Sequence, residues 1–372
     1  MERYREAATV HDCAVLPFFA WFPSHSPKTN KMDCFGLTRA LVDIESTTGH
    51  EKPVVDFLHA YLSKMARRHN GRIERMTAAP ERDNLLLTFG EPVVTLSTHM
   101  DTVPPYWPSS EDSKCIRGRG SCDAKGIIAA MITAAESLLE SGTRNFALLF
   151  VVGEERDSAG AQAAAGSPQG SQFLINGEPT QNRLALGSKG ALRYEVMARG
   201  KLAHSAYPEL GHSAIDSLLN ALSEIRAIPL PSDPVLGSAT LNIGTIQGGR
   251  APNVVADGAQ AELMFRIVGD AEALRKEVAR VCAGHNVEAR EVFYCSAVRL
   301  GSMEDLPTTI VAFTTDIPTF NGTWGKPFLI GPGSIHDAHT AEERIDKKEL
   351  ADAVEIYAQM VRQLLTAGVA AQ

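Results

Sequence analysis

With 372 residues, 44% of them hydrophobic and 22% charged, the chain has the composition of a globular protein of about two domains, which excludes disordered, collagen-like and coiled-coil architectures. A formal charge of -8, without any dense Lys/Arg run, argues against nucleic acid as a partner, since an acidic surface repels phosphate backbones. Six cysteines with no CxxC pair form neither a disulfide framework nor a zinc-finger pattern, so a reduced, cytoplasmic setting is expected.

In chain order, residues 13–22 (CAVLPFFAWF) are apolar, but Glu6, His11 and Asp12 precede them, Pro17 interrupts them and no small-residue cleavage site follows. That is a poor secretory signal, and no apolar run reaches the ~18–20 residues that span a bilayer, so no membrane partner is expected. Residues 1–31 are set aside as an N-terminal extension or a misplaced start, without an assigned role. From Met32 to about Lys64 the apolar spacing is helical. Three strand-length apolar runs follow, each stopping abruptly at polar residues: PVVTLST before His99, FALLFVV before Glu154 and QFLIN before Glu178. Their nearly continuous hydrophobicity predicts strands covered on both faces. Residues 124–142 between the first two predict a helix ended by Gly142. Strand–helix–strand at this spacing predicts an α/β domain with a mostly parallel central sheet, in which ligands gather beyond the carboxyl ends of the strands.

Composition changes after Ser188. Alternating strands at 190–198, 239–246 and 261–268, with helices at 211–225 and 271–283, predict an α+β module over residues 189–298, inserted between catalytic halves 32–188 and 299–372. The expected stripe of the first helix is Ala214, Ile215, Leu218, Leu219 and Leu222. Residues 346–365 predict a terminal amphipathic helix with Asp346 and Glu349 at N-cap and N3.

The strand ends hold the residues that could carry chemistry. His99 and Asp101 form an HxD pair whose side chains point the same way in extended backbone, so that one can bind a metal and the other fix its tautomer; a solvated loop would carry the same pair. Asp123 lies at the start of a helix, where acids also serve as caps. Glu154 and Glu155 are adjacent carboxylates after a buried strand, which must be solvated, paired or metal-bound. Glu178 follows another strand end. His339 lies beyond a Gly/Pro loop, with His336 nearby. Two histidines, one Asp and two Glu suit a pair of zinc ions about 3.5–4 Å apart, as in two-metal hydrolases. No GxSxG elbow or GxxxxGK[ST] phosphate loop is present, and Cys122 has no histidine arranged as its base.

In order along residues 33–372, STHMDTVP, GRGSCDAKG, VVGEE, NGEPT and AHTAEE resemble the zinc amidohydrolase and exopeptidase family of acetylornithine deacetylase, succinyl-diaminopimelate desuccinylase, aminoacylase and glutamate carboxypeptidase. The resemblance implies that His99 and Glu178 bind one zinc, Glu155 and His339 the other, and that Asp123 bridges them. Cobalt or manganese could take the same sites. It further implies that Asp101 orients His99, Glu154 is the general base, and His204 steadies the oxyanion, often across a dimer. Asn253, Arg266 and the backbone at Gly333 would bind substrate. The inserted module resembles the family's lid and dimerisation domain, which implies a homodimer. His339 is preferred to His336 because it stands directly before the Thr-Ala-Glu-Glu run. One departure stands out: Arg156, Asp157 and Ser158 follow the Glu pair where the family commonly has small residues.

The expected reaction is hydrolysis of an N-acyl amino acid, foremost an acetylated basic one such as N-acetylornithine or N-acetyllysine in amino-acid biosynthesis. A dipeptidase or carboxypeptidase acting on short peptides is the near rival, and a metal-binding scaffold without catalysis the distant one.

Overall fold

The computed structural model describes residues 32–370; the 13–22 run and the rest of the N-terminal extension lie outside the described residues. The helical spacing after Met32 resolves into α1 (Cys34–Val42) and α2 (Lys52–His69). Asp33 caps the first through a 2.7 Å bond from the Gly36 N–H, satisfying a donor that the helix itself cannot. The expected apolar runs become β3 (Val94–His99), β4 (Phe146–Val151) and β5 (Phe173–Asn176), and α3 (Lys125–Glu140) lies between the first two. Gly142 adopts φ +84 just beyond the end of α3, the left-handed conformation in which glycine stops a helix.

A hairpin not foreseen from the sequence, β1 (Arg72–Ala79) and β2 (Arg82–Phe89), forms one edge of the main sheet. β1 shows no buried apolar alternation because it lies at the margin, and β2 is a short apolar run of a kind that a helix could equally carry. With α4 (Ala159–Ala165), β6 (Leu184–Ser188), β11 (Thr308–Val311), α7 (Ile317–Phe320) and β12 (Lys326–Leu329), the nine-stranded sheet runs β1-β2-β4-β3-β5-β12-β6 and ends at Val298–Arg299, with β11 pairing alongside β6. Its centre, β4-β3-β5-β12, is parallel, while both ends carry antiparallel pairs, so the sheet is mixed.

Burial explains the composition of the central strands. Ala147, Leu149 and Val151 pack with α4, Phe320 and Trp324 on one face, whose indole N–H donates to the Ala164 carbonyl at 2.9 Å. Successive residues point to opposite faces, and the other face is covered by α3, itself packed against α1 and the terminal helix α8 (Lys347–Ala370). Asp346 caps α8 by accepting the Lys348 and Glu349 N–H groups.

The inserted segment forms a second, four-stranded antiparallel sheet, β8-β9-β7-β10, from β7 (Gly190–Arg199), β8 (Thr240–Gly248), β9 (Gly258–Ile267) and β10 (Val287–Cys295). Helices α5 (Ala214–Ala227) and α6 (Glu272–Gly284) pack on it. Ala214, Leu218 and Leu222 are buried as expected, but Leu219 is 49% exposed. Both layers belong to one compact unit beginning at Asp33.

Candidate metal centre and active site

Sheet register builds the site. His99 pairs with Val151, and Ser97 with Asn176, which in turn opposes Leu329. The carboxyl ends of four parallel strands are therefore aligned: His99 closes β3, the loops leaving β4 and β5 carry Glu154, Glu155 and Glu178 to the same edge, and His339 lies ten residues beyond β12.

His99, Asp123 and Glu155 offer ligand atoms within 4.8 Å of one another. His99 Nε2 lies 3.0 Å from Asp123 Oδ1, and His339 Nε2 lies 3.4 Å from Asp123 Oδ2 and 3.0 Å from Glu155. The two oxygens of one carboxylate thus face two different imidazoles. His99 Nδ1 lies 3.0 Å from the Asp101 carbonyl; donating there leaves Nε2 free for a ligand. His339 sits at φ +63, a left-handed conformation that costs energy in a non-glycine residue and recurs at functional sites.

The donor set fits metal cations. Burial and the Asp123 charge push the Glu155 carboxyl up, and burial pushes Glu178 well above the usual carboxylate range. Glu178 Oε1 is buried without a hydrogen-bond partner. No Lys or Arg is paired with Asp123, Glu155 or Glu178 among the described residues; the counter-charges are the two histidines, with His339 raised to about 10 by its bonds to Asp123 and Glu155. Buried carboxylates short of positive charge, one with an orphaned oxygen, are what a divalent cation satisfies.

Glu154 is partly open to the adjoining cavity, yet its carboxyl is crowded by protein. Burial and the charge of Glu178 raise its proton affinity well above that of an ordinary Glu. Asp101 acts mainly on the loop carrying the two glutamates: its Oδ1 accepts the Gly153 and Glu154 N–H groups at 2.9 and 3.1 Å, and its Oδ2 accepts the Glu155 N–H and the Thr48 hydroxyl. Its carboxylate stands 3.6 Å from His99 Nδ1. Burial would raise Asp101, but His99 and these donors hold it below the usual range.

Other expected site residues fall elsewhere. His204 and Asn253 lie side by side on neighbouring loops of the inserted segment, where His204 bridges Val254 and the Ser205 N–H donates to the Asn253 carbonyl; no hydrogen bond or ion pair links them to the five clustered residues of their own chain. Arg266 lines a cavity of ≈ 450 Å³ with Thr180, Ser334 and His336 and has no ion-pair partner among the described residues. His336 lines this cavity, and no hydrogen bond or ion pair among the described residues joins it to the metal-ligand candidates. The Gly333 N–H is taken by Glu349 Oε2 at 2.8 Å, so it is not free for a substrate. Its φ is +85, and a Cβ there would meet Cys122 Sγ at 2.6 Å; glycine serves the close packing of this loop on the Asp123 loop.

Two buried acids were not singled out from the sequence. Glu343, the last residue of AHTAEE, accepts the Cys122 and Asp123 N–H groups and a 2.5 Å bond from Arg119, whose guanidinium lies 4.2 Å above the Trp107 ring. It fixes the loop that carries Asp123, a role the motif alone does not reveal. Asp316 precedes α7, and neither of its buried side-chain oxygens has a hydrogen-bond partner. Burial pushes it up to about 7, with the charge of His99 opposing.

Histidines and carboxylates that could hold a metal ion at the carboxyl edge of an α/β sheet, with Glu154 beside them, are an arrangement suited to metal-dependent hydrolysis. Residues 95–363 match the profile of Peptidase family M20/M25/M40. The chain is 37% identical over 334 residues to a Peptidase M20 domain-containing protein of Schizosaccharomyces pombe (87% of this chain, 83% of that one). It is 35% identical over 368 residues to a probable carboxypeptidase of Aspergillus niger (87% and 88%). Among solved structures, it superposes on the M20 family metallo-carboxypeptidase of Sulfolobus solfataricus with a TM-score of 0.71 at 15% identity, covering 90% of this chain and 99% of that one. The chain belongs to peptidase family M20/M25/M40 and is a hydrolase of amide bonds; metallopeptidases of this family use divalent metal ions.

Proposed function

We propose that the protein releases a carboxyl-terminal amino acid from a short N-blocked peptide or an N-acyl amino acid, with His99 and Glu178 holding one zinc, Glu155 and His339 the other, and Asp123 bridging them. The observation that carries the bridge is that Asp123 turns one oxygen to each histidine. When bound, the metal pair supplies Lewis acidity and makes water a nucleophile near neutral pH. Glu154 takes the proton of the attacking water and returns it to the departing amine nitrogen, a task suited to a carboxyl whose surroundings raise its proton affinity. His204 is assigned the oxyanion, reaching the site of a second copy in a homodimer through the inserted module.

Substrate preference follows from the Arg266 cavity. An unpaired, half-buried guanidinium is a receptor for a carboxylate, here the free carboxylate of the released amino acid. The described residues lining this cavity include no Asp or Glu, whereas Ile310, Val311, Phe313 and Ile335 are apolar. Nothing there would pair with an ornithine or lysine ammonium, so the cavity favours an apolar side chain over the acetylated basic amino acids expected from the sequence. The names of the fungal relatives, probable carboxypeptidases, support the same reading. Amine release from an N-blocked dipeptide ending in Leu tests it. The free acid should be cleaved at least tenfold faster, in kcat/KM, than its carboxyl-terminal amide, and Arg266→Met should remove that difference. Equal rates for acid and amide in the wild-type protein would contradict the assignment.

A further inference from the structure

A second cavity, of ≈ 610 Å³, opens beside Glu154 and Glu155 and shares no lining residue with the Arg266 cavity. Its volume is typical of a small-molecule site. Phe293 and Tyr294, 46% and 41% exposed, supply aromatic surface, with the Arg275 guanidinium 4.3 Å over the Tyr294 ring; Gln162 and Arg156 are polar, and Glu154, Glu155 and Asp157 are the acidic residues of the lining. Arg156 belongs to the stretch in which this sequence departs from the residues that commonly follow the Glu pair.

What surrounds Arg156 leaves its charge unspent. The adjacent Asp157 is held by Arg82 at 3.0 Å, and the same Arg82 grips Glu51 at 2.7 Å. Glu155 is engaged by His339. Among the described residues Arg156 has only a backbone hydrogen bond, from its N–H to the Gly153 carbonyl, and its guanidinium has no acidic partner although three acids stand within two residues in sequence. An arginine kept free of its neighbours' carboxylates at the mouth of an aromatic-lined cavity is poised for an anion from outside the chain.

We propose that this cavity receives the acyl half of the substrate and that Arg156 selects acyl groups bearing a carboxylate: a dicarboxylic acyl chain, or an acidic residue on the amino side of the scissile bond. The inference rests on the proposed hydrolysis, because assigning the released amino acid to the Arg266 cavity is what leaves this one to the acyl half. The carbon chain of such a group lies against Phe293 and Tyr294 while its carboxylate meets the guanidinium. Two divalent cations would balance the four carboxylates of Asp123, Glu154, Glu155 and Glu178, and Arg82 holds Asp157, so the site does not repel a second anion.

The test uses metal-loaded full-length protein and two acyl derivatives of leucine, N-glutaryl-leucine and its neutral isostere, in which the distal carboxylate is a carboxamide. The wild-type protein should favour the glutaryl compound at least tenfold in kcat/KM. That ratio should shrink as salt screens the pair, fall toward one in Arg156→Met, and reverse in Arg156→Glu. Arg156 is exposed, and unchanged circular dichroism would verify that the variants fold. Cleavage of both compounds at equal rates would overturn the inference and leave the hydrolase standing, as would a ratio that survives Arg156→Met. Cleavage of neither compound by metal-loaded wild type that still releases leucine from an N-blocked dipeptide would overturn this inference alone, whereas release from none of the three would overturn the proposed reaction and this inference with it.

Discussion

At the residue scale, two carboxyls with raised proton affinity have different expected behaviour. Glu154 accepts no metal in the proposed arrangement, so Glu154→Gln should lower kcat by about 10²–10⁴ while leaving two bound zinc ions per chain by elemental analysis; loss of zinc together with activity would make it a ligand instead. Asp316 concerns stability. Its folded pKa of about 7 exceeds the ~3.9 of an unfolded Asp, so its contribution is fully present below ~3.9 and is lost as pH rises through about 7. The groups whose fields reach it include His99, Asp101 and Asp157. In metal-free protein, the urea midpoint should fall between pH 4.5 and 7.5 more steeply for the wild type than for Asp316→Asn; parallel slopes would remove Asp316 from the account. The sequence displayed the clustered acids and histidines because each closes an apolar run. It did not display Asp316 or Glu343, since a buried acid is recognisable only once the chain around it has folded.

At the scale of elements, the site depends on loops held from behind. The Arg119–Glu343 pair is 2% and 1% exposed and ties the Asp123 loop to the segment following His339. Removing one partner of a buried pair leaves an uncompensated charge, so Arg119→Met should destabilise the fold by about 3–5 kcal/mol, and Arg119→Met/Glu343→Gln by less. A double variant as unstable as the sum of both single changes would deny the coupling. The central strands and α3 were legible because burial on both faces leaves unbroken apolar runs. The β1–β2 hairpin was not, since an edge strand need not alternate, and neither was the exposure of Leu219, because helical periodicity does not say which flank of a stripe meets the sheet.

At the scale of the whole molecule, the four-stranded sheet ends in an edge strand, β8, whose Ile246 is 53% exposed, and α5 exposes Leu219. Exposed apolar side chains beside an unpaired edge invite association. If they join two copies as proposed, Leu219→Asp with Ile246→Asp should convert a dimer to a monomer by light scattering; a wild-type monomer at micromolar concentration would sink the dimer and the reach of His204 across it. Within one chain the sequence assembled the metal cluster from segments far apart, because strand ends converge in any sheet of this kind. It could not place His204, which no hydrogen bond or ion pair joins to the clustered residues of its own chain.

The most direct measurement follows leucine release from an N-blocked dipeptide with a free carboxylate, comparing protein stripped of metal by a chelator with the same sample after zinc is restored. The expected result is negligible release from the stripped protein and recovery with zinc up to two ions per chain. Release that persists undiminished without metal, or a fully zinc-loaded protein that releases no leucine, would contradict the account.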